Sequence, residues 1–141
     1  MSRLAVRFLD QGLHRVLFDA MPLPAFVVDK DVNILECNAA ATRLFKQSQR
    51  TSKQQKAGDI LHCLHTTESP NGCGGASACS DCGLREAVQA ASRGRSVQRQ
   101  WAEMELIEQG RTTKVNLRIS CQPFTYDRNK LVLLIFEGLN G

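Results

Sequence analysis

A strict alternation of apolar and polar residues near the C-terminus constrains the fold of this chain most strongly. Residues 115–122 read VNLRISCQ, so that every second side chain is apolar. Successive side chains of a β-strand point to opposite faces of a sheet, and this period of two therefore predicts a strand with one face on a core. Residues 97–107 alternate in the same way, and residues 131–136 form the continuous apolar run of a central strand buried on both faces. Turn-forming residues at 109–111 and 127–129 join the three segments as hairpins.

The N-terminal half predicts a further hairpin followed by a helix. Residues 25–29 and 32–36 are short apolar segments separated by a Lys-Asp turn. Residues 38–45 favour a short helix, for which Asn38 is the expected N-cap. Two strands, a helical block and three strands in that order indicate an α+β domain with an antiparallel sheet of about five strands.

Two more helices and one loop complete the predicted elements. Residues 3–20 carry an apolar stripe at helical spacing, which consists of Leu9, Leu13, Val16, Leu17 and Ala20. Residues 84–92 repeat this spacing, and Gly94 is expected to end that helix. Residues 46–58 are polar and show no apolar period, which predicts a solvated loop.

The composition of the 141 residues is that of one globular domain, with 43% hydrophobic and 23% charged residues. The net charge of +4 is spread along the chain without a basic run, so no nucleic-acid surface is expected. No apolar run approaches the ~20 residues that span a bilayer, and charged residues interrupt the N-terminus where a signal peptide would be apolar. We therefore expect a cytoplasmic protein, in a compartment that keeps thiols reduced.

A cysteine cluster in the segment 59–85 is the main candidate for a functional site. Its members are Cys63, Cys73, Cys79 and Cys82. In a cytosolic chain such a cluster indicates a metal site or a redox-active site rather than structural disulfides. Four thiolates can enclose one Zn²⁺ ion or ligate an iron–sulfur cluster. Cys82 opens the predicted helix at 84–92, where the helix dipole favours the thiolate, and Arg85 follows one turn later.

The spacing C-x9-C-x5-C-x2-C matches neither a pair of CxxC zinc motifs nor a ferredoxin motif. An iron–sulfur cluster, a zinc ion, a thiol–disulfide switch and inert thiols therefore remain alternatives. His62 and His65 flank Cys63 and are substitute ligands, although four cysteines already suffice and we interpret both histidines as surrounding residues. Cys37 and Cys121 are isolated and are expected to be structural. No Gly-x-Ser-x-Gly motif or Walker loop occurs, and no enzymatic activity is expected.

The phrases PAFVVD at 24–29 and ILECNAA at 34–40, together with the element order, resemble the PAS sensor family over roughly residues 20–138. The resemblance implies a sheet of strand order 2-1-5-4-3, with helices on one face around a cofactor pocket. It also implies a sensory role and homodimerisation through the helix that precedes the first strand. A downstream signalling protein, such as a histidine kinase or another output module, would receive the signal. A subset of PAS sensors carries cysteine clusters, some of which hold iron–sulfur centres.

The expected organisation is an amphipathic dimerisation helix at 1–20 and a PAS-like sensor domain at 21–141. The sensor fold favours an iron–sulfur cluster over zinc, because zinc has no redox chemistry. The first hypothesis is therefore redox or gas sensing through a metal centre ligated by the four cysteines. The alternatives are a PAS-type interaction module with a structural zinc and a small-molecule-binding PAS domain with incidental thiols.

Overall fold

The computed structural model describes residues 12–45, 55–56, 82–108 and 110–140. These residues form three helices and six strands. The helices are α1 (His14–Ala20), α2 (Ala39–Phe45) and α3 (Gly83–Ser92). The strands are β1 (Ala25–Val28), β2 (Asn33–Cys37), β3 (Gln55–Lys56), β4 (Val97–Glu108), β5 (Arg111–Tyr126) and β6 (Asn129–Asn140). No helix in the described ranges is long and apolar enough to cross a bilayer.

All strands belong to one antiparallel sheet of order β3-β2-β1-β6-β5-β4. The five longer strands confirm the predicted α+β fold and the order 2-1-5-4-3. The sixth strand, β3, consists of residues 55–56 and pairs with Asn33 and Ile34 at the edge of the sheet. It lies in the segment that was predicted as a loop. The prediction missed this strand because backbone hydrogen bonds can hold a short edge strand without an apolar period. The other residues of 46–58 lie outside the described ranges.

The core lies between one face of the sheet and helix α3. The alternation is confirmed in the middle of both strands, since every second residue of 102–106 in β4 and of 115–121 in β5 is buried, among them Ala102, Met104, Leu117 and Ile119. Helix α3 adds the buried side chains of Leu84, Ala87, Val88 and Ala91. It contacts β4, β5 and β6.

Strand β6 differs from its prediction, because only one of its faces is fully buried. Val132, Leu134 and Phe136 are buried, whereas Leu131, Leu133 and Ile135 are half-buried. The side chains of the second set point to the face opposite α3, which the described residues cover only in part. Burial on both faces was therefore a wrong prediction: a continuous apolar run does not reveal whether a second layer covers the sheet.

The hairpin, α2 and the C-terminus of α3 agree with the sequence in detail. Asn38 is fully buried and caps α2, with its Oδ1 accepting the N–H of Ala41 at 2.9 Å. Gly94 ends α3 with a φ of +96°, a value that glycine adopts without strain. Its N–H donates to the carbonyl of Ala91 at 2.8 Å, and the next N–H, of Arg95, donates to Ala90 at 3.0 Å. These two bonds form a Schellman motif.

Helix α1 begins at His14, and residues 3–11 of the predicted N-terminal helix lie outside the described ranges. Its apolar side chains Val16 and Leu17 are 62% and 58% exposed. The polar side chains of α1 hold the helix to the β2–α2 junction instead. Arg15 donates to the carboxylate of Asp19 and to the carbonyl oxygen of Cys37, the latter at 3.1 Å.

Candidate functional site

The structure describes one of the four predicted ligands. Cys82 lies within the described ranges, whereas Cys63, Cys73 and Cys79 lie outside them, as do the substitute ligands His62 and His65. The convergence of the four thiols therefore stays a prediction. Within the described ranges, no three His, Cys, Asp or Glu side chains are grouped as a metal site would require.

Cys82 is the N-cap residue of α3, as the sequence predicted. Its carbonyl oxygen accepts the N–H of Glu86 at 2.9 Å, which is the first backbone bond of the helix. Its thiol is free, half-buried and forms no capping hydrogen bond. The side chain packs against the edge of the hydrophobic core. Cys82 is thus partly accessible to solvent at the N-terminal end of the helix.

The backbone holds the start of α3 close to strand β4. A Cβ atom added to Gly83 would lie 3.3 Å from the Cβ of Ala102, which is shorter than an ordinary van der Waals contact. Glycine permits this approach because it has no side chain. The residue after Cys82 is therefore packed directly on the sheet.

Arg85 lies one turn beyond Cys82 and carries an unsatisfied donor. Its Nη1 atom is buried and has no hydrogen-bond partner among the described residues. Buried donors are nearly always paired, because removing such a group from water without a replacement bond costs about 1–3 kcal/mol or more. The sequence pointed to the position of Arg85, but only the structure shows the unpaired atom.

The two isolated cysteines are buried and differ from Cys82 in their environment. Burial raises the pKa of Cys121 to about 12. Burial also raises the pKa of Cys37, although the hydroxyl of Thr42, 3.7 Å from the sulfur, and the charge of Arg15 act in the opposite direction. Both thiols are therefore protonated at neutral pH. Their burial agrees with the structural role that the sequence predicted for both.

A cavity of about 390 Å³ lies between α3 and the first residues of β4. Its lining combines polar side chains, among them Glu86, Gln89 and Arg93, with apolar atoms of Val97. No sequence pattern indicated this cavity, because its walls come from two elements whose relative packing the periodicity does not define.

Comparisons with known proteins agree with this architecture. A family model described as "MmyB-like transcription regulator ligand binding domain" matches residues 9–68. A search of curated proteins found no significant match. Among solved structures, the chain is similar to the PAS domain of nitrogen regulation protein NR(II) from Vibrio parahaemolyticus. The TM-score is 0.57 at 18% identity, covering 89% of this chain and 96% of that one.

Two further structures show the same similarity. The PAS domain of a two-component sensor histidine kinase matches with a TM-score of 0.55 at 11% identity, covering 93% of this chain and 97% of that one. The E. coli DhaR(N)–DhaL complex matches with a TM-score of 0.53 at 15% identity, covering 96% of this chain and 37% of that one. At these identities the comparison concerns the fold. Together with the strand order 2-1-5-4-3, it shows that this chain has a PAS-like α+β fold.

Proposed function

We propose that this chain is a cytoplasmic, non-enzymatic PAS-type sensory domain that binds an iron–sulfur cluster through Cys63, Cys73, Cys79 and Cys82. The observation that carries the proposal is the position of Cys82, a half-buried free cysteine at the N-cap of the helix that packs on the central sheet. The donor set fits the cofactor, because iron–sulfur clusters are held by four cysteine thiolates. When bound, the cluster would supply one-electron redox chemistry and sensitivity to oxidants.

Helix α3 is the element that would transmit the state of this centre. It is fixed to the sheet by a row of small and medium-sized buried side chains, of which Leu84 is the largest. A ligand bound at Cys82 would act on the N-cap of this helix, and its loss would remove one restraint on that end. The proposed signal is a shift in population between two packings of α3 on β4, β5 and β6.

Metal content tests the proposal directly. We expect wild-type protein purified without oxygen to be coloured and to contain iron and inorganic sulfide. The variant Cys82→Ala should retain less than about a tenth of the iron, because a ligand is lost. Cys121→Ala is the matched control, since that cysteine is buried in the core and is not one of the predicted ligands, and it should retain the iron. A wild-type protein that holds no iron after anaerobic reconstitution would overturn the proposal.

The same measurement distinguishes the main alternative. A colourless protein with stoichiometric zinc would favour an interaction module with a structural zinc site, which unfolds locally when the metal is chelated. An interaction role is compatible with the DhaR(N)–DhaL complex, in which a similar fold was solved together with another protein. Metal analysis of the wild type and of Cys82→Ala distinguishes an iron–sulfur site and a zinc site from incidental thiols, which would bind neither metal.

Ligand binding is a second candidate function, and one observation favours it. The family model that matches residues 9–68 is described as a ligand-binding domain. These residues include β1, β2 and α2, and Phe26, Ile34 and Cys37 of this region belong to the core. A small molecule that raises the melting temperature of both the wild type and Cys82→Ala would support this function.

We further propose that the chain forms a homodimer through its N-terminal helix and passes its signal to a histidine kinase or another output module. Val16 and Leu17 offer an apolar surface on α1, while Arg15 and Asp19 hold that helix in place. Leu17→Asp is expected to weaken the dimer by at least tenfold, because it places a charge in an apolar contact. Sedimentation velocity measures the effect. Lys130→Asp, an exposed change in the β5–β6 hairpin, should leave the dimer intact.

A further inference from the structure

We propose that α1 and the first turn of α2 loosen together, because the carboxylate of Asp19 holds both. Asp19 lies on α1, and its Oδ1 atom accepts the backbone N–H of Ala39 at 3.0 Å. Ala39 is the first residue of α2, and the early N–H groups of a helix have no acceptor within it. The proposal rests on the proposed function in one respect, namely that α1 is the dimerisation helix, so that this coupling would regulate the dimer.

Helix α1 depends on polar contacts for its position. It has seven residues, none of them fully buried, and a helix this short does not persist in water by itself. Its apolar side chains Val16 and Leu17 are exposed and therefore do not fix it to the domain. The contacts of Arg15 and Asp19 are thus a main source of its attachment.

Arg15 joins the carboxylate of Asp19 to the end of β2. Its Nε and Nη2 atoms donate to the two oxygens of that carboxylate at 3.2 and 3.3 Å, which is a two-point contact. Nη2 also donates to the carbonyl oxygen of Cys37 at 3.1 Å, and Nη1 lies 3.5 Å from Oε2 of Glu36. The side chains of Arg15 and Asp19 are only 23% and 29% exposed, so water screens their attraction less than at an open surface.

These contacts make the coupling reciprocal. If α1 leaves, the N–H of Ala39 loses the carboxylate and the carbonyl of Cys37 loses the guanidinium. If residues 37–39 shift, Arg15 and Asp19 lose the same bonds from the other side. A coupling free energy acts equally in both directions. Because the side chain of Cys37 belongs to the hydrophobic core, a change in core packing reaches α1 through this residue.

Amide hydrogen exchange of the intact chain tests the proposal, and Arg15→Met is the decisive variant. Among the described residues, Arg15 forms its hydrogen bonds with Asp19, Glu36 and Cys37 and none with α2. We nevertheless expect exchange in α2 to accelerate about fivefold, as it does in α1, which corresponds to the loss of one helix cap. Arg93→Met, an exposed change at the end of α3, is the matched control and should leave both helices unchanged.

A second variant, Asp19→Asn, keeps an acceptor for the N–H of Ala39 but removes the charge that attracts Arg15, and it should again accelerate exchange in both helices. Acceleration confined to α1 in Arg15→Met would overturn the proposal, because the first turn of α2 would then be held without α1. Equal acceleration in β5 and β6 would also overturn it, since the two helices would then open only with the whole domain.

Sedimentation velocity of the same variants tests the consequence for the dimer. A weaker dimer in Arg15→Met supports the regulatory role, and an unchanged dimer overturns that role. A wild type that is monomeric would refute the proposed dimer alone, because the exchange experiment concerns contacts within one chain.

Discussion

Asn38→Ala is expected to lower the free energy of unfolding by about 3 kcal/mol, a large effect for a single polar side chain. The Oδ1 atom of Asn38 accepts two backbone N–H groups, of Ala25 at 3.0 Å and of Ala41 at 2.9 Å. Its Nδ2 atom donates to the carbonyl oxygen of Leu23 at 2.9 Å. Loss of an N-cap costs about 1 kcal/mol, and buried partners left without hydrogen bonds cost about 1–3 kcal/mol more.

Urea unfolding monitored by circular dichroism measures the effect of Asn38→Ala. The control is Asn129→Ala, in which the lost bond, to the carbonyl of Asp127, is local and exposed, so that a change within about 0.5 kcal/mol is expected. If Asn38→Ala falls in the same range as this control, the amide does not organise the junction between β1, β2 and α2.

Leu84→Ala is expected to lower the free energy of unfolding by about 2–5 kcal/mol and to loosen α3 in particular. Leu84 is 2% exposed, and the other buried side chains of the helix are two alanines and one shorter valine. Truncation therefore removes the largest apolar contact between the helix and the sheet and leaves a cavity. Amide hydrogen exchange in residues 83–92 should accelerate more than exchange in β5 and β6.

Leu23→Ala provides the comparison for Leu84→Ala, because Leu23 is 39% exposed and its structural bond uses only the backbone carbonyl. It should change the free energy of unfolding by less than about 1 kcal/mol. Uniform acceleration of exchange across the sheet in Leu84→Ala would contradict the view that α3 can loosen separately. It would also weaken the proposed route of signalling.

Local chemistry explains why much of the fold could be predicted from the sequence. The period of two in β5 and the apolar stripe of α3 predict which side chains face the core, and both predictions agree with the observed burial. The caps at Asn38 and Gly94 were predictable because they depend on residues within one turn of each helix end. The similarity of two phrases to the PAS family supplied the strand order, which periodicity alone does not contain.

Features that depend on contacts between distant residues could not be predicted. The sequence contains no sign that Asp19 accepts the N–H of Ala39, twenty residues away, or that the amide of Asn38 joins β1 to α2. Likewise, the burial of the β6 side chains on the face opposite α3 depends on what covers that face of the sheet. For the candidate site, the place of Cys82 at the start of a helix was predictable from the helical stripe and is confirmed. The lack of a partner for Nη1 of Arg85 among the described residues could not be predicted, because it depends on which groups surround this side chain in the fold.

The close approach of Gly83 to Ala102 gives any movement of α3 a preferred direction. The space between them is too small for even one extra methyl group without displacement of its neighbour, so the start of the helix has almost no freedom to travel towards the edge strand β4. At the other end, the Schellman bonds of Gly94 and Arg95 fasten the last turn. If α3 transmits the signal as proposed, displacement of its first turn away from this strand is therefore easier than displacement towards it, because the backbone of Gly83 already lies close to Ala102.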